Sequence, residues 1–260
     1  MDAELYLDNN SFIHRLDPRT KIIIFLLSFV AILLFQNPLW MLPVAILIFL
    51  ELYVSKAFQN IFRIRVFLII LSVFSLILWN LFAKGQTHWF LFFYKESFVY
   101  AIARTLLMVL MISAGVVLIS TTRNEELVLG LIKLGVPYRV GFAISTALRL
   151  VPTIASSTVT ISQAQRSRGL DLDSGNIIER IRKFLPLLVP VFISTIRSTN
   201  IFAMALESKG FGAREQRTNY LRLKMQKSDY IVIGFVILFV IASVALSIMG
   251  YGKLTGLKNF

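Results

Sequence analysis

Residues 98–120 read FVYAIARTLLMVLMISAGVVLIS, an apolar run broken by one charge, Arg104, near its start. A helix needs about 20 such residues to cross the hydrocarbon core of a bilayer. The run therefore places the chain in a membrane. Composition agrees: 57% of the residues are hydrophobic, 22 are Phe, and only 16% are charged, where a soluble domain carries about a quarter. The mean hydropathy is +0.74. The fold class expected is an all-α integral membrane protein.

Toward the N-terminus three more apolar runs precede this one. Asp17-Pro18 breaks the chain, because the residue before Pro avoids helical backbone. The run Ile22 to Phe35 follows, with Arg15, Arg19 and Lys21 at its entry; including its ends, it predicts a helix over residues 19–36. Gln36-Asn37-Pro38 is a turn. Leu39 to Val54 is the second run, with Pro43 in its first turns, where Pro is tolerated. Lys56, Arg63 and Arg65 separate it from the third run, Val66 to Phe82. Ala83 to Ser97 is a mixed aromatic loop whose Trp89 suits an interfacial belt. The two basic flanks share a side if the first two runs form a hairpin, and the positive-inside rule then puts the N-terminus in the cytoplasm. Met1 to Asn10 is acidic and polar, so no cleavable leader is expected. Glu51 and Arg104, the charges within these runs, read as interfacial snorkellers rather than a pathway.

Toward the C-terminus the character changes. Between Thr121 and Asp229 cations become frequent and no uninterrupted apolar stretch reaches spanning length. This predicts a cytoplasmic or interfacial helical region. Thr122-Arg123-Asn124-Glu125 fits a capping box for a helix over Glu125 to Leu134, stopped at Gly135. Pro137 opens a long helix from Tyr138 to Arg168, with Pro152 predicting a kink near Leu148 and Arg149. Val140, Ile144, Leu148, Val151, Ala155 and Val159 share one of its faces; Ser145, Arg149, Thr153, Ser156, Thr160 and Gln163 share the other. Asp171 to Gly175 is a turn. A short helix over Ile177 to Lys183 and a longer one from Phe184 to Lys209, containing Pro186 and Pro190, complete the region. Arg214 to Lys227 is a basic connector. Tyr230 to Met249 is the last run, and by count the fifth span, leaving the tail from Tyr251 outside.

Two short segments in this region echo each other. Gln163-Ala164-Gln165-Arg166-Ser167-Arg168-Gly169 and Ala203-Met204-Ala205-Leu206-Glu207-Ser208-Lys209-Gly210 both end in Ser-cation-Gly. Gly lets a helix leave through left-handed backbone, and a cation in the last turn meets the negative end of the dipole. Two ordinary C-caps satisfy the pattern; so do two plugs aimed at pockets on another protein.

Other chemistry is excluded or unsupported. There is no Cys, hence no disulfide, thiol chemistry or Cys-ligated zinc. His14 and His88 are far apart, and no metal site is expected. No Gly-x-x-x-x-Gly-Lys-[Ser/Thr] loop is present, so the chain does not hydrolyse ATP by that route, and no catalytic triad can be assembled. The net charge of +13 reports the cytoplasmic excess of Lys and Arg, not a nucleic-acid partner.

Five segments, in order, carry a resemblance: Leu16-Asp17-Pro18-Arg19-Thr20-Lys21, Thr121-Thr122-Arg123-Asn124-Glu125-Glu126-Leu127, Gly135-Val136-Pro137-Tyr138-Arg139, Leu148-Arg149-Leu150-Val151-Pro152, and the two Ser-cation-Gly ends with Pro186-Leu187-Leu188-Val189-Pro190 between them. Together they resemble the transmembrane T component of energy-coupling factor (ECF) transporters, the EcfT/CbiQ family. The apolar runs and the region between them read as about five transmembrane helices plus a cytoplasmic bundle of amphipathic helices, which the resemblance makes coupling helices. The bounds are a cytoplasmic N-terminus over 1–18, four spans over 19–120, the coupling-helix region over 121–229, and the last span with its tail over 230–260. It also implies a multi-pass scaffold in the cell inner or plasma membrane. Such a scaffold binds no cofactor itself; ATP belongs to two partner ABC ATPases, and a separate S component takes the vitamin or transition-metal ion. Carried over by position, Ser167, Arg168, Gly169 and Ser208, Lys209, Gly210 are ATPase-docking tips, with Gln165, Glu207, Arg149 and Glu125 as support. Lys209 departs from the family, where Arg is usual; it offers a compact flexible charge in place of a planar fork. The alternative is an ABC-type permease that itself forms the translocation path.

Overall fold

The computed structural model describes residues 6–7, 9, 11–83, 88–90, 93–170, 176–213 and 223–252. The turn expected at Asp171 to Gly175, most of the Arg214 to Lys227 connector, the acidic N-terminal residues and most of the tail lie outside them. Among the described residues the elements are α1 (Pro18–Leu33), α2 (Pro38–Ser55), α3 (Phe58–Arg63), α4 (Arg65–Phe82), β1 (His88–Phe90), β2 (Phe93–Tyr94), α5 (Lys95–Thr121), α6 (Asn124–Lys133), α7 (Tyr138–Ser167), α8 (Ile177–Ser208) and α9 (Lys227–Ile248). The protein is an all-α membrane protein. Its only strands among those residues are β1 and β2, a minimal antiparallel hairpin where a mixed loop is expected. The chain forms two compact units: residues 1–137 with 223–260, and residues 138–222.

Six described helices are long and apolar enough to cross a membrane: α2, α4, most of α5, α7, residues 181–208 of α8, and α9. Two features go beyond the apolar runs read in the sequence. In the region between Thr121 and Asp229, α7 and residues 181–208 of α8 are long and apolar enough on average to span, although polar residues interrupt both. The first apolar run gives a helix of only 16 residues, about 24 Å, shorter than the ~30 Å hydrocarbon core.

In the first unit, α1, α2, α5 and α9 surround a core of Ala31, Ile32, Met41, Val44, Ile48, Ala103, Leu107, Leu110, Val236 and Val240. Phe67, Ile70, Phe74, Ile77 and Leu81 of α4 and Phe235, Leu238 and Ile241 of α9 are exposed. Such an apolar outer surface is stable against lipid and not against water. Buried hydroxyls stitch the helices, with Thr105 Oγ1 donating to Ser75 Oγ (3.0 Å) and Asn60 Nδ2 to Ser120 Oγ (2.7 Å).

A polar junction closes one end of this unit. Asp17 caps α1, its Oδ1 accepting the Arg19 N–H at 3.0 Å. The fully buried Asp229 carboxylate reaches across the chain: Oδ1 accepts the Asp17 N–H at 2.8 Å and Oδ2 the Gln226 N–H at 2.7 Å. Lys21 Nζ donates to the carbonyls of Thr121 (2.7 Å) and His14 (3.0 Å). The signature Leu16 to Lys21 is thus a knot of helix ends. At Gly130 of α6 a Cβ would meet Ile22 Cδ1 at 3.0 Å and Pro18 Cβ at 3.2 Å, so α6 lies close against α1 and a side chain there would require its neighbours to give way.

Several helix boundaries differ from expectation. The capping box at Thr122 is absent: α6 starts after Arg123 without a side-chain cap, and Thr122 is buried. The two helices expected between Ile177 and Lys209 are one, α8, which runs through Pro186 and Pro190. Its start is set upstream, where the Asn176 N–H donates to Glu179 Oε2 at 3.3 Å. The α7 helix continues through Pro152, as expected.

Candidate functional site

The second unit is built on α7 and α8, and both Ser-cation-Gly segments are their C-terminal ends. After α7, the Leu170 N–H donates to Gln165 O (3.0 Å) and the Gly169 N–H to Arg166 O (3.0 Å), with Gly169 at φ +91°. After α8, the Phe211 N–H donates to Leu206 O (2.9 Å) and the Gly210 N–H to Glu207 O (2.8 Å), with Gly210 at φ +74°. These are the same six-to-one and five-to-two pairs, the Schellman arrangement. The echo in sequence is an identity of backbone.

The side chains divide the work. Ser167 Oγ donates back to Gln163 O at 3.1 Å and Ser208 Oγ to Ala205 O at 2.9 Å, so each hydroxyl is turned onto its own helix. Arg168 and Lys209 are exposed. Each cation stands beside the last carbonyls of its helix, where the dipole favours positive charge. Glu207 is exposed and Gln165 half-buried; their carbonyls accept cap hydrogen bonds from Gly210 and Leu170. Arg149 is exposed in the middle of α7, away from both helix ends. Glu125 is exposed in the first turn of α6 and belongs to the first unit.

The tips point apart. The Phe211 ring, next after Gly210, packs on Phe142 with centroids 4.4 Å apart. Phe142 sits in the second turn of α7 and stacks in turn near Tyr138. The α8 tip therefore lies beside the beginning of α7, while Arg168 lies at its far end, up to roughly 40 Å away at 1.5 Å per residue. Between them Val140, Ile144, Leu148, Val151 and Val159 of α7, and Leu188, Phe192, Ile193 and Ile196 of α8, are exposed. No group of three or more His, Cys, Asp or Glu able to hold a metal is found among the described residues.

A family model described as CbiQ, cobalt transport protein, matches residues 9–220, the stretch that holds both tips. The chain belongs to this family. It is similar to proteins named energy-coupling factor transporter transmembrane protein EcfT: 32% identical to that of Lactococcus lactis subsp. cremoris, covering 91% of this chain and 94% of the relative. It is 33% identical to that of Clostridium kluyveri, covering 95% and 97%. The Streptococcus thermophilus protein is 30% identical, covering 84% and 88%. CbiQ family membership and the apolar helices together make this chain a multi-pass membrane protein of a transport system.

Proposed function

We propose that this chain is the transmembrane scaffold of an ECF-type importer. It couples ATP hydrolysis by two partner ATPases to uptake of a vitamin or transition-metal ion through a separate S component. The observation that carries the reading is the pair of identically capped, cation-bearing helix ends held at opposite ends of one helix pair. The relatives' shared name supports the same role.

The physical logic runs from backbone to coupling. A Schellman cap stops the helix sharply, so the exposed cation stands at a rigid end rather than on a loop. A rigid end costs little ordering entropy when it enters a groove. Arg168 offers a planar fork suited to a carboxylate in that groove, and Lys209 a point charge. Two such ends, facing away from each other, suit two separate ATPases better than two sites on one. Movement of the ATPases then acts on the two ends of a single stiff element. The chain takes part through its coupling region without binding ATP, and the S component, not this chain, selects the cargo. The N-terminus is on the cytoplasmic side in this reading, which the basic flanks support through the positive-inside rule.

Truncating one partner of a buried charge pair costs 2–5 kcal/mol of binding, so Arg168→Glu is expected to abolish capture of the ATPase at that tip while the protein still inserts. Co-purification of the ATPases from membranes tests this, and undiminished capture of both by Arg168→Glu would overturn the assignment.

A further inference from the structure

A cavity of about 210 Å³ lies within the first unit, lined by the segment around Phe12, by α1, α2, α5 and α9. An apolar cavity of ~150 Å³ already takes up a small hydrocarbon. The cavity walls are almost wholly apolar, from Phe25, Leu47, Ala114, Val117 and Val236. Three polar residues also line it. Lys21 Nζ is engaged with two carbonyls and Thr121 Oγ1 donates to Val117 O at 2.7 Å. The third is Glu51, whose carboxylate meets no hydrogen-bond donor and no cation among the described residues. A carboxylate within a membrane-embedded unit is costly, and faces a cavity or pathway when it is retained.

The rim indicates what enters. Phe12, Leu50 and Phe235 line the cavity and are also among the exposed large apolar side chains, at 53%, 60% and 60%. The mouth is therefore apolar and opens on the outer surface of the helices, the surface that faces lipid. Depth fits as well. Glu51 lies four residues before the end of α2 at Ser55, about 6 Å in, whereas Ala114 lies about 10 Å in from the end of α5 at Thr121. The apolar walls thus continue past the carboxylate into the helices.

We propose that this cavity binds a phospholipid bearing a primary ammonium headgroup, with an acyl chain against the apolar walls and the ammonium donating to Glu51. The chain satisfies the cavity and the headgroup satisfies the carboxylate; neither a plain hydrocarbon nor an anionic headgroup does both. The site needs no other subunit and is independent of the ATPase-docking role.

Native mass spectrometry of the delipidated full-length protein tests it, titrated with phosphatidylethanolamine, phosphatidylcholine and phosphatidylglycerol of the same acyl chains. Phosphatidylcholine is the critical control, because its trimethylated nitrogen keeps the charge and loses every N–H donor. A hydrogen bond to a charged group predicts a preference for phosphatidylethanolamine on the order of tenfold. Glu51→Gln is expected to remove that preference and retain chain binding. Equal occupancy of the two lipids by the native protein overturns the proposal, whether or not the Gln variant folds; so does an unchanged preference in a folded Glu51→Gln protein. A photo-crosslinker at Phe12 in native membranes is expected to capture lipid, and capture of a protein side chain instead assigns the cavity to a partner helix and overturns it too.

Discussion

At the residue scale, two acids show what a sequence can and cannot announce. Asp17 precedes Pro18 and reads as a break; in the structure it is also the cap of α1. Asp229 reads as the last polar residue before a span. Its importance is invisible locally, because the group it holds, the Asp17 N–H, is 212 residues away. It is buried to 1% exposure and its two oxygens serve two backbone donors, so truncation leaves both unsatisfied. Each such orphan costs about 1–3 kcal/mol. Asp229→Ala is expected to destabilise the protein by about 2–5 kcal/mol, read as a lowered thermal midpoint in detergent, with Asp229→Asn showing a smaller loss through its remaining acceptor. Glu51 shows the converse. It is conspicuous in sequence as a charge in an apolar run, yet only the packed helices show that it lines a cavity.

At the element scale, the helices were legible and their joints less so. Apolar runs located α2, α4, α5 and α9 to within a few residues, because lipid-facing and core-facing positions are both apolar and the signal is length alone. Gly135, Gly169 and Gly210 were legible as stops, and all three adopt positive φ. The division of α8 into two helices was an error with a physical cause. Pro is favoured at a helix start, but Pro186 and Pro190 occupy the interior of a helix begun by the Asn176–Glu179 cap. The capping box assigned to Thr122 failed because a matching spacing does not say whether the residue is free to cap; Thr122 is buried instead. Of the candidate site, the cap and cation pattern was readable, whereas the inward hydrogen bonds of Ser167 and Ser208 and the opposed directions of the tips were not. The caps invite a test of their own. Gly169 sits at φ +91°, and no atom lies within 4 Å of where its Cβ would stand, so Gly169→Val has space but the wrong backbone. Strain of about 1–3 kcal/mol is expected to unwind the last turn of α7. Faster amide exchange at Leu170 and weaker ATPase capture, with Arg168 itself intact, are the expected readouts.

At the scale of the whole molecule, the first unit buries the charges of its polar junction, Asp17, Lys21 and Asp229, while the second exposes Arg168 and Lys209 at its helix ends. If each tip serves its own ATPase, the losses from Arg168→Glu and Lys209→Glu should be distinguishable: each single variant is expected to retain one ATPase in co-purification and the double variant neither. Retention of both ATPases by the double variant would show that the tips are caps and nothing more.

Because the α8 tip is pinned by Phe211 to Phe142 near the start of α7, the distance between the two cations is set by the length of α7, as on a gauge rod. A partner pair with sockets at fixed positions then constrains how many residues α7 contains. Removing four residues between Phe142 and Gln163 shortens the rod by about 6 Å and turns the far end by about 40°, changing no tip residue. Such a protein is expected to bind either ATPase alone and to fail with both joined as a dimer, an outcome that separate and joint pull-downs distinguish.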